Sequence, residues 1–198
     1  MSLFHINLTI FVETIGYAGL FAIVFAESGL FFGFFFPGDS LLFSAGLLAS
    51  QGIFNVWQLV ILLALAAIFG DSVGYWFGKK VGPAIFSRED GRFFHKRHIE
   101  RTKTFYEKYG SRTIVLARFV PIVRTFAPIL AGVGSMPYKK FLSYNIVGGI
   151  LWSFALIFVG YFLGIFVPGA ESYVTLIAIV IIIISFLPIL KEMRNQKK

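Results

Sequence analysis

Long apolar runs separated by short polar joints make up most of the chain. A helix of about 20 apolar residues crosses the ~30 Å hydrocarbon core of a bilayer. Residues 8–26, 56–78, 141–164 and 173–190 fit that description and predict four spanning helices. Two further runs, residues 27–50 and 113–135, are equally apolar but broken inside. The first holds Pro37-Gly38-Asp39 at its centre, and the second holds Arg118, Pro121, Arg124 and Pro128. Proline removes a backbone donor and clashes with the preceding turn, so each run divides into two arms. The arms 27–37 and 40–50 are 11 residues each, or ~16 Å as helix, about half the core thickness. The pattern predicts two re-entrant helical hairpins, with Pro121 and Pro128 bounding the tip of the second. The alternative is a pair of proline-kinked crossing helices. Backbone freed at that depth survives only inside protein or beside water. The tips at Pro37, Gly38 and Pro121 are therefore expected to be buried against each other or to line a cavity.

Charge placement separates the two topologies. Of 18 Lys and Arg, ten lie in residues 79–112, two are Lys139 and Lys140, and four are in the tail after residue 190. Segments 51–55 and 165–172 have none. Basic loops stay in the cytoplasm, and all 16 fall on that side only if residues 113–135 enter and leave by the same face. The first hairpin then dips in from the outer side. The segment 79–112 carries net +6, with Phe93, Phe94, Phe105, Tyr106 and Tyr109 among its charges. Basic residues interleaved with aromatics beside spanning helices predict an interfacial cytoplasmic segment on anionic lipid. Nucleic acid, the other partner a charge of +8 suggests, would compete with the membrane itself, and no nucleic-acid partner is expected.

An internal repeat fits this layout. Ala45-Gly46 and Ala131-Gly132 close the two hairpins, 86 residues apart; Gly74-Tyr75-x-x-Gly78 and Gly160-Tyr161-x-x-Gly164 close two spanning helices at the same spacing. The expected fold is an all-α polytopic membrane protein in a single membrane domain, 1–198. It is built from two inverted repeats, each a re-entrant hairpin plus a spanning helix, with an N-terminal helix at 8–26 and a C-terminal anchor at 173–190. Inverted repeats with broken helices meeting near the midplane are a transporter pattern.

Composition removes other classes. The chain is 57% hydrophobic and 14% charged, against about 45–50% and 25% for soluble domains. It has no Cys, which excludes disulfides, thiolate metal sites, a Cys nucleophile and Cys lipidation. Its His residues, His5, His95 and His98, lack the i, i+4 spacing of a zinc helix. No catalytic residue, metal or cofactor is expected. Residues 1–14 contain no Lys or Arg, so no basic region of a cleavable signal is read there.

The candidate chemistry lies in ionisable residues at membrane depth, each costing about 2.5–3.5 kcal/mol on insertion scales. They are Glu27, Asp39, Asp71, Arg118 and Arg124. A bend at Pro121 can turn Arg118 and Arg124 toward one point. Two convergent guanidiniums suit a phosphate, because the planar fork binds bidentately and never loses its charge. The alternative is structural ion pairing of the arginines with Asp39 and Glu27, and a phosphate could displace those carboxylates in turn. Carboxylates shut away from water are candidate proton carriers, which nominates Glu27 and Asp39. Asp39 is equally readable as a helix cap for the arm from Ser40. Asp71 needs a partner, for transport or for packing. Asn145 could bond across helices, and Trp152 on the same span reads as packing.

These residues resemble the DedA family of bacterial inner-membrane proteins, also called SNARE-associated or VTT-domain proteins. The matching stretches are Glu27-x9-Pro37-Gly38-Asp39, Gly70-Asp71-x2-Gly74-Tyr75-x2-Gly78, Phe105-Tyr106-x2-Tyr109-Gly110, Arg118-Phe119-x-Pro121-x2-Arg124, Ala131-Gly132-x3-Met136 and Phe141-x3-Asn145-x2-Gly148-x3-Trp152. The resemblance implies translocation of a lipid phosphate, undecaprenyl phosphate or phosphatidylethanolamine, coupled to the proton motive force across the bacterial cytoplasmic membrane. It also implies that Glu27, Asp39, Arg118 and Arg124 are the important embedded charges. Two Arg match a phosphomonoester better than a zwitterion, which favours undecaprenyl phosphate. A membrane lipid phosphatase would need a nucleophile and an acid at depth, and a non-transporting structural role would tolerate Arg118→Lys. The tail of the lipid, the proton stoichiometry and the oligomeric state are not written in the sequence.

Overall fold

The computed structural model describes residues 8–29, 38–86, 112–119 and 121–167, and they are entirely helical apart from short joints. The helices are α1 (Leu8–Gly29), α2 (Gly38–Ser50), α3 (Val56–Phe86), α4 (Arg112–Ala117), α5 (Pro121–Val133) and α6 (Tyr138–Phe166). Pro37 and the rest of the first tip, most of the 79–112 segment and the helix expected at 173–190 lie outside the described residues.

Among the described residues three helices are long and apolar enough to cross a bilayer: Phe11–Gly29, Val56–Val81 and Tyr138–Phe166. Each outruns the length expected from its apolar run. α1 passes residue 26 and carries Glu27 in its last turns. α3 continues eight residues beyond 78 through Lys79 and Lys80, and α6 starts three residues early to take in Lys139 and Lys140. Long basic side chains near a helix end reach for the interface while the backbone stays helical, so charge does not mark these ends. α1 is not one straight rod. Gly16 has φ 57° and ψ −162°, a conformation essentially reserved for glycine, and it joins two helical pieces.

The two broken runs become short helices. α2 has 13 residues and α5 has 13, ~20 Å of helix each; α4 has six. Pro121 starts α5, where its missing N–H is no loss. Pro128 does not bound a tip, contrary to the sequence reading. It lies inside α5, buried, with its ring facing Gly74 of α3. The helix continues past the hydrogen bond that the proline cannot donate. α2 is buried without a break from Ser40 to Ala49, so it is an interior helix rather than a lipid-facing one.

Contacts divide the described chain into two compact units. One comprises α1 to Leu20, α2 with the start of α3 to Leu62, and α6 from Ser153. Within it, α2 ends in a Schellman turn: Ile53 N–H donates to Leu48 O (3.2 Å), Gly52 N–H donates to Ala49 O (3.1 Å), and Gly52 takes φ 82°. Asn55 then caps α3, its Oδ1 accepting from Trp57 N–H (3.0 Å) and Gln58 N–H (3.1 Å). Tyr17 of α1 holds this joint through its hydroxyl, which accepts from Asn55 N–H (2.8 Å), and through an edge-on ring contact with Phe54.

The other unit comprises α1 from Phe21, α3 from Leu63, α4, α5 and α6 to Trp152. Here Trp76, in the second half of α3, packs on Tyr138 at the start of α6, while Ile68, earlier in α3, meets Asn145 and Gly149 further along α6. α3 and α6 thus run antiparallel, and the chain leaves α3 and enters α6 at the same end. Lys79 lies over the Trp76 ring at 5.1 Å, the aromatic and basic combination of a membrane–water interface. Tyr75 O–H donates to Met136 O and stacks on Phe141, tying the exit of α5 to both long helices.

Both units contain a reciprocal backbone contact between a short helix and a long one. Gly46 of α2 lies on the Ile157 carbonyl of α6, and Gly160 of α6 lies on the Phe43 carbonyl of α2. Gly132 of α5 lies on the Tyr75 carbonyl of α3, and Gly78 of α3 lies on the Ile129 carbonyl of α5. Each carbonyl would collide with a Cβ. The short-helix members are 86 positions apart (43 and 129, 46 and 132), but the long-helix members are 82 apart (75 and 157, 78 and 160). The equivalent of Gly160 in this packing is therefore Gly78 rather than Gly74, a shift of about one helical turn. Each short helix packs on the long helix of the other sequence copy.

A buried pair of arginine ion pairs

The second unit gathers four of the five deep charges. Arg118 occupies the turn after α4, where its N–H still donates to Val115 O (3.3 Å). Arg124 sits one turn into α5. Glu27 ends α1, and Asp71 lies midway along α3. All are enclosed: Glu27 is 3%, Asp71 1%, Arg118 2% and Arg124 4% exposed. Small residues bring these elements together. A Cβ at Gly29 would sit 2.9 Å from the Gly70 carbonyl, and one at Gly70 would sit 2.6 Å from the Phe25 carbonyl, so α1 and α3 meet backbone to backbone next to Glu27 and Asp71.

The arginines have different partners. Arg124 Nη2 donates to Glu27 Oε1 at 2.5 Å, and its guanidinium lies over the Trp152 ring with Cζ 4.7 Å from the centroid. Arg118 Nη2 donates to both Asp71 Oδ2 and Asn145 Oδ1. Asn145 is fully buried, and its Nδ2 donates to Ile68 O of α3 at 3.0 Å. Arg118 Nε and Nη1 have no hydrogen-bond partner, nor does Asp71 Oδ1. Both pairs lie against α6, Arg118 on Asn145 and Arg124 on Trp152. Two guanidiniums and two carboxylates sum to zero net charge, the arrangement in which buried ions are tolerable.

The alternative drawn from the sequence pairs the arginines with Asp39 and Glu27. Glu27 pairs with Arg124, but the partner of Arg118 is Asp71. Asp39 lies in the first unit, half-buried in the first turn of α2, which begins at Gly38 rather than at Ser40. Its carboxylate there complements the helix N-terminus. Gly38 is buried, Gly132 makes the α3–α5 contact, and Asn145 bonds across to α3. Trp152, read as packing, is a partner of Arg124. The signal was available: Asn145 and Trp152 are seven residues apart, two turns of one helix face. Among the described residues no group of three or more metal-ligating side chains comes together.

Helices long enough to span, with paired charges enclosed between them, define a helical membrane protein with a polar interior. Residues 36–162 match the VTT domain family model, and the chain belongs to the VTT-domain, or DedA, family. It is 45% identical over 184 residues to protein DedA of Escherichia coli strain K12, covering 92% of this chain and 84% of that one. It is 45% identical over 174 residues to the uncharacterized membrane protein Rv0364 of Mycobacterium tuberculosis strain H37Rv, covering 87% and 76%. It is 33% identical over 148 residues to the inner membrane protein YqjA of E. coli K12, covering 75% and 67%. No solved structure matches the chain.

Proposed function

We propose that this protein translocates a lipid with a phosphate headgroup, undecaprenyl phosphate first among them, across the bacterial cytoplasmic membrane, and that it is not an enzyme. The observation that carries the reading is Arg118: almost fully buried, it uses one guanidinium nitrogen and leaves two without a partner. An unsatisfied buried donor costs about 1–3 kcal/mol, a cost that an anionic oxygen arriving at those nitrogens removes. Glu27 and Asp71 act as resident counter-ions. The phosphate displaces them, and the released carboxylates take up protons that keep the buried cluster neutral. Asp39 is a further proton-coupling candidate on α2.

The topology we propose has α4–α5 and the run ending in α2 as re-entrant hairpins of two inverted copies, with residues 79–112 on anionic lipid and the C-terminus in the cytoplasm. The common end shared by Trp76 and Tyr138 supports this, as does the short length of α2, α4 and α5. The test is headgroup translocation in proteoliposomes, comparing polyprenyl monophosphate with phosphatidylethanolamine, with and without a pH gradient. Wild type is expected to move the monophosphate faster when the gradient is present. Equal rates for wild type and Arg124→Ala would refute the site.

A further inference from the structure

We infer that one face of α6, bearing Asn145, Gly148 and Trp152, is the surface that positions both arginines, and that it does so without charge. The inference rests on the reading of Arg118 and Arg124 as headgroup ligands. Residues 145, 148 and 152 follow the i, i+3, i+7 spacing that puts side chains on one helical stripe. Asn145 is locked first. Its Nδ2 donates to the Ile68 carbonyl at 3.0 Å, which fixes the amide orientation; a flipped amide would oppose oxygen to oxygen there and NH2 to guanidinium at Arg118. Its Oδ1 is thereby aimed at Arg118 Nη2.

Gly148 makes room one turn on. A Cβ there would sit 3.0 Å from Arg118 Cδ and 3.2 Å from Arg118 Nε, so the bare backbone lets the arginine stem lie across α6. Trp152, 2% exposed, then offers its ring face to Arg124. Cation–π attraction strengthens when desolvated. Each guanidinium is therefore held both by a carboxylate and by a neutral group of α6. The carboxylates can be exchanged for a substrate anion. The amide and the indole cannot, and they keep the guanidiniums in place during the exchange.

The test combines arginine side-chain 15N spectra of the full chain in nanodiscs with transport of polyprenyl monophosphate in phosphatidylcholine proteoliposomes. Slowly exchanging Nε–H signals of Arg118 and Arg124 are assigned by Arg→Lys variants. Asn145→Leu is expected to move the Arg118 signal toward its solvent-averaged position and leave that of Arg124, with Trp152→Leu doing the reverse. Trp152→Leu is expected to raise KM about tenfold with Vmax within about twofold. Trp152→Phe, which keeps a ring, restores KM to within about threefold. If Trp152→Leu fails to fold, Trp152→Phe and Gly148→Ala carry the comparison, the latter expected to move the Arg118 signal alone. Unchanged arginine signals in the variants would overturn the inference whatever the transport result. Selective signal changes with no transport by wild type would overturn the transport reading and leave the positioning face standing.

Discussion

At the residue scale the central question is what Arg118 and Asp71 do for one another. Removing one partner of a buried ion pair strands the other and costs about 3–5 kcal/mol, whereas replacing both with apolar residues is often neutral or stabilising. Asp71→Asn is therefore expected to lower the melting temperature, and Asp71→Leu combined with Arg118→Met to recover it, both by thermal unfolding in detergent. The double variant is expected to be stable and to transport no polyprenyl monophosphate. Arg118→Lys keeps the charge but loses the planar fork, and loss of transport in folded protein is the expected outcome. The sequence made the deep charges visible, because five ionisable residues in apolar runs need an account. It did not pair them. Arg118 reaches Asp71 across 47 positions of chain, and no local pattern chooses between Asp71 and Asp39 as its partner.

At the scale of the element, glycines do two different jobs. Gly16 needs its backbone conformation, with no atom within 4 Å of where a Cβ would be; Gly78 needs the absence of a Cβ, because the Ile129 carbonyl occupies that place. Gly16→Ala is expected to cost about 1–3 kcal/mol as local strain and leave α3–α5 packing intact. Gly78→Ala has to push two backbones apart, at about 1–3 kcal/mol or more, and is expected to lower both the melting temperature and transport. Ser135 gives a prediction of opposite sign. It takes φ 56° at the αL position of the Schellman turn closing α5, where Met136 N–H donates to Ala131 O at 3.0 Å. It is exposed, so Ser135→Gly is expected to stabilise the protein by about 1 kcal/mol, seen as a raised melting temperature. The breaks around Pro121 could be read from sequence, since proline acts on its own backbone. The burial of Pro128 inside α5 could not, since its neighbour Gly74 is supplied by α3.

At the scale of the molecule the apolar pattern announced the three spanning helices of the described residues, and charge placement predicts their sides. The 86-residue repeat was also legible, but its one-turn slip along the long helices was not, because two glycines in each GYxxG segment could serve the contact and only packing selects between them. Topology is directly testable, because the chain has no Cys and any introduced thiol is the sole label. Gln51→Cys, Lys80→Cys and Lys140→Cys stand at exposed positions. Lys80→Cys and Lys140→Cys are expected to react with a membrane-impermeant maleimide from the same side, and Gln51→Cys from the other. Labelling of Gln51→Cys and Lys140→Cys from one side would mean that α4–α5 crosses the membrane.

The reciprocal glycine contact between α3 and α5 has a thermodynamic consequence. Where the two backbones touch directly no rotamers are frozen, so this contact forgoes the side-chain entropy penalty that ordinary interdigitated cores incur on ordering. Its cohesion comes from close-range dispersion and Cα–H···O contacts, which are enthalpic. Such a seam keeps its strength on cooling, unlike one held by water-driven burial.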